Sequence, residues 1–172
     1  MGAECSGKTT LAQALAAQLG GLWVPEYLRT FCDKHGRTPQ ADEQAHILGM
    51  QLRQENEALA AAEQQQRVFV FCDTAPLQTA IYSDCVFGDT SLYEVARSLH
   101  ARYALTLLLE PDIPWVADGF QRDGPRQRAA VHDRITRELS ASAMPFVHIH
   151  GTPEQRLLRA ITATQSVTHS PR

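Results

Sequence analysis

The feature that most constrains the fold of this chain is a glycine-framed loop that begins at its second residue. Residues 2–9 read GAECSGKT, which matches the spacing G-x-x-x-x-G-K-[ST] of a phosphate-binding P-loop. The two glycines let the backbone turn so tightly that successive N–H groups point into one hollow, where they bind an anion. The residues that we expect to hold a triphosphate are Gly2, Ala3, Glu4, Cys5, Ser6, Gly7, Lys8, Thr9 and Thr10.

Two side chains of this loop carry the chemistry that the motif predicts. Lys8 is expected to reach the β- and γ-phosphates, and the hydroxyl of Thr9 to bind Mg²⁺. A helix is expected to begin at Lys8, so that its N-terminal partial charge also faces the anion. ATP and Mg²⁺ are therefore the predicted cofactors. The alternative is a glycine-rich turn that precedes a helix and binds nothing.

Composition narrows the class of protein. The chain has 172 residues and a net charge of −3, and its 44% of hydrophobic residues suffices for one domain with a core. This charge gives no electrostatic reason to expect nucleic acid or an anionic membrane as a partner. No apolar run approaches the about 20 residues that span a bilayer, and the four cysteines lack C-x-x-C or zinc-site spacing. We expect a cytoplasmic protein that acts on a small molecule, and the sequence leaves its oligomeric state open.

Short apolar runs alternate with amphipathic segments along the chain. The runs predict strands at 22–24, 68–72, 105–109 and 146–150. Periodicity predicts helices at 8–19, 42–66, 76–84 and 91–103, one ending near 142, and a last one of about ten residues from 153, with 28–39 irregular or partly helical. Strands that are apolar on both faces and alternate with helices indicate a parallel sheet between helices. The predicted fold is α/β, a three-layer P-loop NTPase of the nucleoside- or adenylate-kinase-like kind.

These elements fit one compact unit. We expect a single kinase-like domain over residues 1–163, with a lid segment at about 112–128. The polar residues 164–172 are expected to form a frayed tail. No internal repeat or interdomain linker is present in the sequence.

The strand that normally leads into a P-loop has no residues here, because the loop begins at Gly2. That strand would lie between strands 68–72 and 105–109, where its absence leaves a gap of about 9 to 10 Å. We therefore expect a sheet without its first strand, and hypothesise that about six apolar residues precede Gly2 in the natural protein or its ancestor. The alternative is that the two neighbouring strands pair directly and displace the loop.

Asp73 is the first candidate outside the loop. It ends the apolar run 68–72, as the Mg²⁺-binding carboxylate of a Walker B strand does. We expect it to bind metal and to take part in catalysis. The alternative is that Asp73 caps the helix that follows.

A second candidate group follows strand 22–24 at the same edge of the predicted sheet. Glu26 is a candidate catalytic residue, because a carboxylate there can orient an acceptor hydroxyl or take its proton. Tyr27 is a candidate to stack on a flat ring, and Arg29 to bind a phosphate or carboxylate. The alternative is a surface cluster at the end of a strand.

The predicted lid carries the densest group of guanidinium side chains, at Arg122, Arg126 and Arg128. Arginines that close over the phosphates neutralise charge in the transition state, so Arg122 and Arg126 are candidate catalytic residues. The alternative is a solvated, salt-bridged start of a helix. Trp115 is a candidate lid hinge or ring contact, and packing in the core explains it equally well.

Taken together, four segments resemble the NadR-type family of small P-loop kinases. They are GAECSGKTT at the loop, WVPEYLR at 23–29, FCDT at 71–74 and LLEPDIPWVADG at 108–119, in the same order and at similar spacing. The resemblance runs through nearly the whole chain, and PWVADG is its most distinctive part.

This resemblance implies an ATP-dependent kinase that phosphorylates the 5′-hydroxyl of nicotinamide riboside and so forms nicotinamide mononucleotide. It places arginines after Gly119 in the lid. The residues that it places at ATP and Mg²⁺ are Gly7, Lys8 and Thr9, and those that it places at the nucleoside are Glu26, Tyr27 and Asp73. The adenylyltransferase and DNA-binding portions of that family's bifunctional members have no counterpart in this sequence.

Two other functions stay open at this point. One is a regulatory ATPase or GTPase that acts on a protein partner, with the segment 28–40 sensing the γ-phosphate. The other is an N-terminally truncated relative that turns nothing over. The choice between ATP and GTP is open as well.

Overall fold

The computed structural model describes residues 1–114, 124–142 and 144–168. The predicted α/β fold with parallel strands is confirmed. The four strands are β1 (Leu22–Val24), β2 (Val70–Cys72), β3 (Thr106–Leu109) and β4 (Phe146–Ile149). The helices are α1 (Lys8–Leu19), α2 (Tyr27–His35), a 3₁₀ turn (Ala41–Glu43), α3 (Gln44–Gln64), α4 (Pro76–Phe87), α5 (Tyr93–His100), α6 (Gly124–Ala141) and α7 (Pro153–Thr168).

Glycines set the two ends of the helix that follows the loop. Gly7, with φ of 84°, precedes α1, and Gly20, with φ of 66°, ends it by donating its N–H to the carbonyl of Ala16. Between these ends, Leu11 and Leu15 are buried one turn apart. The apolar face of α1 therefore anchors the P-loop to the sheet.

The strands form two separate parallel pairs, β1 with β2 and β3 with β4. The gap expected between strands 68–72 and 105–109 is present as a cavity of about 100 Å³ between β2 and β3. Direct pairing of β2 with β3, the alternative, does not occur in the part of the chain that the structure describes.

Met1 lies at one wall of this cavity and pairs with β3. Its amino group donates a 2.8 Å hydrogen bond to the carbonyl of Leu107, and its carbonyl accepts a 3.0 Å bond from the N–H of Leu109. This pair of bonds is the pattern of a parallel bridge opposite Leu108. The entrance to the P-loop is therefore fixed to the carboxyl end of β3.

Two apolar clusters lie on opposite faces of the strands, which gives the expected three layers. Leu108 packs with α4, α5 and α6, whereas Leu109, next to it in β3, packs with α1 and α7. This alternation follows from the two-residue period of a strand. The carboxyl end of β3 is therefore held by both layers.

Several expectations for individual elements need correction. Strand β2 starts at Val70, because its partner β1 begins at Leu22, which pairs with Val70; Val68 lies before this pairing and is 77% exposed. The segment 28–39 is partly helical, as one form of the expectation had it, because α2 covers Tyr27–His35. Helix α7 has 16 residues, not about ten, and it includes residues 164–168 of the expected tail, where Thr164 is buried. The division into domain, lid and tail stays a prediction.

None of the described helices is both long and apolar enough to cross a membrane.

Candidate functional site

The P-loop adopts backbone conformations that glycine makes accessible. Gly7 has φ of 84° and Cys5 has φ of 52°, both in the left-handed region. A Cβ atom on Gly2 would lie 2.7 Å from the Ser6 hydroxyl and 3.0 Å from the Leu109 carbonyl oxygen, so only glycine fits. The loop is therefore a tight turn packed on the end of β3, with Ala3 and Ser6 fully buried in it.

The single lysine of the loop folds back across it. The Lys8 ammonium donates a 3.1 Å hydrogen bond to the carbonyl oxygen of Ala3, five residues earlier in the chain. A charged anion is a stronger acceptor than this neutral carbonyl, so it would replace the carbonyl as the partner of the ammonium group. The structure thus places Lys8 at the hollow, as the motif predicts.

Thr9 and Asp73 meet at the next position, although they are 64 residues apart. The Thr9 hydroxyl donates a 2.6 Å hydrogen bond to one carboxylate oxygen of Asp73. Asp73 is 2% exposed, and its other oxygen, Oδ1, has no hydrogen-bond partner among the described residues. Helix α4 is capped by Ala75, so Asp73 does not serve as its N-cap.

This pair fits a magnesium ion. A hydroxyl and a carboxylate are hard oxygen ligands, and Mg²⁺ is usually held by one or two such groups together with substrate phosphates. The unpartnered Oδ1 of Asp73 is an acceptor that such an ion, or water bound to it, would satisfy. No cluster of three or more His, Cys, Asp or Glu residues that could hold a metal occurs within residues 1–114, 124–142 and 144–168.

Two buried arginines contact the outer side of the loop. Arg128 of α6 donates to the carbonyl of Ile113 at 2.9 Å and to that of Cys5 at 3.3 Å. Arg156 of α7 donates to the carbonyl of Ser6 at 2.6 Å. Only 7% of Arg128 and 4% of Arg156 is exposed, so both guanidinium groups belong to the interior of the site. For Arg128, the sequence left open the alternative of a solvated, salt-bridged start of a helix. Its burial shows that this alternative is wrong for Arg128.

The sequence prediction missed Arg156. It lies in the last helix, far from the motif, and an arginine in an amphipathic helix is usually a surface residue. The signal that could have found it is its position three residues after Pro153, in the first turn of a helix that follows a strand end.

The other lid candidates fall largely outside the description. Trp115 and Arg122 lie outside the described residues, and Arg126 lies in the first turn of α6 without a described side chain. Their roles stay predictions.

An apolar cavity of about 320 Å³ opens beside the loop. Gly7 and Thr10 line it from the loop and α1, whereas Ile113, Pro153 and Leu157 line it from the other side. Its walls are mostly apolar, and its size falls within the range of small-molecule sites. The sequence prediction did not identify this cavity, because its walls come from three distant segments.

A smaller cavity of about 30 Å³ lies between the segment that follows β1, helix α3 and the start of α4. Glu26 lines it, with 11% of its side chain exposed, and makes a 3.8 Å ion pair with the half-exposed Arg29. The Tyr27 hydroxyl lies 3.4 Å from the ring nitrogen Nε2 of His46. The structure therefore brings Glu26 to a cavity, pairs Arg29 with Glu26 and packs Tyr27 against His46.

Three glutamines line the same cavity, and the sequence prediction missed them. They are Gln44, Gln51 and Gln78, all nearly fully buried. Gln51 accepts a 2.8 Å bond from the N–H of Tyr27, and Gln78 accepts a 3.1 Å bond from the N–H of Gly2. The detectable signal was the position of Gln44 and Gln51 in the apolar stripe of α3, because a buried amide needs a hydrogen-bond partner.

The thiol of Cys72, next to Asp73, is kept neutral by its surroundings. Burial raises the pKa of the Cys72 thiol far above its ordinary value, with the nearby carboxylate of Glu55 adding to the effect. Cys72 therefore stays a neutral thiol beside Asp73. The charged side chains near this edge include Lys8, Asp73, Glu26 and the two buried arginines.

A family model described as an AAA domain matches residues 1–156 of this sequence. The chain belongs to the AAA-domain family. The match begins at the P-loop and includes Asp73, Arg128 and Arg156. No curated protein matches this AAA domain significantly in sequence.

A solved structure described as "Crystal structure of NadR protein in complex with NR" has the same fold. Its TM-score to this AAA domain is 0.77 at 21% sequence identity, with a coverage of 99% of this chain and 51% of the other. The chain thus spans about half the length of that protein. The predicted resemblance to the NadR-type family is confirmed at the level of the fold.

Proposed function

We propose that this AAA domain is an ATP-dependent kinase that transfers the γ-phosphoryl group to the 5′-hydroxyl of a nucleoside. The observation that carries the proposal is the 2.6 Å contact between Thr9 and the buried Asp73, directly after Lys8 in a glycine loop. Phosphoryl transfer depends mainly on positioning and counter-charge, and these residues supply both for a nucleoside triphosphate.

On the donor side, the loop amides and Lys8 would hold the β- and γ-phosphates. Thr9 and Asp73 would hold Mg²⁺, which when bound neutralises charge on the phosphate oxygens. Lys8 would exchange its bond to the Ala3 carbonyl for the phosphate. Arg122 and Arg126 are proposed to close over the phosphates from the lid.

The nucleotide base would lie in the apolar cavity beside Gly7 and Thr10. A flat ring gains most from burial between aliphatic walls such as Ile113 and Leu157. We propose ATP as the nucleotide on the basis of the family resemblance. Because the described lining of this cavity has few polar groups that could distinguish adenine from guanine, we expect weak discrimination against GTP.

On the acceptor side, Glu26 would orient the hydroxyl or accept its proton. We take the smaller cavity, beside Glu26, as the acceptor cavity. Among the described residues that line it, Glu26 is the only carboxylate, and none is a lysine, arginine or histidine. A carboxylate favours a neutral or positively charged acceptor over an anionic one. We propose nicotinamide riboside, whose ring is cationic, with nicotinamide mononucleotide as the product; the structural neighbour solved with NR supports this choice.

Three further residues complete the proposed acceptor site. Tyr27 would stack on the ring, Arg29 would contact a polar group at the rim, and Trp115 would approach from the lid. We propose a cytoplasmic enzyme, because ATP is its phosphoryl donor.

The test is a nucleoside screen with ATP and Mg²⁺, in which products are detected by mass. We expect a gain of one phosphate on nicotinamide riboside and little on adenosine or uridine. Phosphorylation of a different nucleoside would contradict the proposed acceptor and support the proposed kinase activity. ATP turnover that is indifferent to every nucleoside would contradict the proposal and favour a regulatory ATPase.

A further inference from the structure

The carbonyl groups of the P-loop have their own binding partners. A P-loop holds phosphate through its N–H groups, and in a trans peptide the carbonyl points opposite to the N–H of the next residue. The Arg156 bond to the Ser6 carbonyl therefore fixes the direction of the Gly7 N–H. In the same way, the Arg128 bond to the Cys5 carbonyl fixes the N–H of Ser6.

The peptide between Ser6 and Gly7 needs such a restraint. Gly7 has φ of 84°, and glycine has access to both signs of φ, so this peptide can rotate at low cost. A rotated peptide would present a carbonyl oxygen to the phosphate and would repel it. The bond from Arg156 opposes that rotation, because the rotated carbonyl would leave the buried guanidinium without its acceptor.

Arg156 itself is held rigidly. Its Nε donates to the Gly151 carbonyl at 2.9 Å, after β4, and its Nη2 donates to the Glu110 carbonyl at 2.9 Å, after β3. Nη2 also contacts the carboxylate of Asp112, which accepts a 2.7 Å bond from the N–H of Gly151. The planar fork of an arginine can serve these separate directions at once, which a lysine cannot.

We propose that Arg156 is a positioning residue that holds the Ser6–Gly7 peptide with its N–H turned into the phosphate hollow. Arg128 makes the parallel contact one peptide earlier. The role rests on the proposed function, since it concerns the affinity of the loop for a triphosphate. It adds a determinant in the last helix that acts through the backbone of the loop, and amide exchange at Gly7 without nucleotide reports that role apart from any contact of Arg156 with the base.

The experiment compares Arg156→Lys and Arg156→Gln with the wild type and with Arg159→Gln. Arg159 lies one turn further along α7, is exposed and contacts the ring of His150, so it is a matched control. Two quantities are measured in the full chain: hydrogen exchange of the Gly7 amide without nucleotide, and the Kd for ATP with Mg²⁺ by calorimetry. The thermal midpoint is recorded for each variant.

We expect ATP to bind about 10- to 100-fold more weakly to both Arg156 variants, which matches the loss of a hydrogen bond to a charged group. Exchange of the Gly7 amide should accelerate more than exchange within α4 and α5. Arg159→Gln should match the wild type in both measurements. Unchanged affinity and unchanged Gly7 exchange in Arg156→Lys and Arg156→Gln would overturn the proposal.

Two further results are informative. If the wild type binds no ATP, the proposed function fails, whereas Gly7 exchange still tests the restraint. If the Arg156 variants do not fold, Asp112→Asn is used, because it removes only the carboxylate partner of Arg156; we expect a smaller loss of affinity in the same direction. Unfolding of all three variants would overturn the proposal, since Arg156 would then support the whole domain and not the loop.

Discussion

The donor and acceptor sides of this site are built in different ways. On the donor side, direct hydrogen bonds hold the loop and its metal-binding pair. Arg156 donates to the Ser6 carbonyl at 2.6 Å, the Gly2 N–H donates to Gln78 at 3.1 Å, and the Thr9 hydroxyl donates to Asp73 at 2.6 Å. On the acceptor side, Glu26 has a 3.8 Å ion pair with a half-exposed arginine, beside a cavity of about 30 Å³.

This difference follows from what each side has to recognise. A triphosphate has one shape and one charge in every nucleotide, so a preorganised backbone cradle suits it. Acceptors differ in ring and charge, and the side chains that line the smaller cavity come from the segment after β1, from α3 and from the start of α4, which can vary separately. Gln78 belongs to both sides, because it lines the acceptor cavity and accepts a bond from Gly2.

The largest expected effect is on the donor side. Lys8→Ala should lower the rate of phosphoryl transfer at least about 10²-fold, because it removes the cation that stabilises charge on the transferred group. The rate is measured from product formation at saturating acceptor. Lys34→Ala, an exposed lysine of α2, is the control and should leave the rate unchanged. A normal rate in Lys8→Ala would contradict the role proposed for Lys8 in holding the triphosphate.

Asp73→Asn should lower the rate by about 10²-fold and raise the Mg²⁺ concentration needed for half-maximal activity, since an amide is a weaker ligand than a carboxylate. The Mg²⁺ dependence is measured at fixed ATP, with the exposed Asp33→Asn as control. A lower rate with an unchanged Mg²⁺ dependence would assign Asp73 a role other than metal binding.

On the acceptor side, Glu26→Gln should lower turnover about tenfold or more, in the range of general acid–base catalysis by one group. The Kd for ATP should stay unchanged, because Glu26 is outside the donor contacts. Turnover and ATP calorimetry are both measured, with the exposed Glu57→Gln as control. A parallel loss of ATP affinity would show that the two sides are not independent.

The smallest effect is expected for Tyr27→Phe. Its hydroxyl contacts His46 at the surface, so its loss should change KM for the riboside by less than about threefold. The ring proposed to stack on the acceptor is retained in this variant. A much larger rise in KM would mean that the hydroxyl itself touches the acceptor.

The sequence was most informative where function depends on backbone shape. The spacing of Gly2, Gly7 and Lys8 predicted the loop, and the apolar run before Asp73 predicted its place beside Thr9. The gap between β2 and β3 was predictable because a parallel sheet has a fixed strand spacing. These features depend on local rules that a single sequence contains.

Other parts of the site depend on contacts between distant segments. Arg156 is 150 residues from Ser6, and no local pattern links the two. The glutamines at 44 and 51 follow the period of a buried stripe, but their bonds depend on how α3 packs on β1 and α2. The length of α7 was underestimated because Thr164 is polar; its hydroxyl bonds to the carbonyl of Ala160 within the helix and is buried there.

The account depends most on the loop binding a triphosphate, and calorimetric titration of the chain with ATP and Mg²⁺ tests this directly. We predict one binding site per chain, with an affinity that falls on removal of Mg²⁺ and is lost in Lys8→Ala. A folded sample that binds neither ATP nor GTP in the presence of Mg²⁺ would contradict the account.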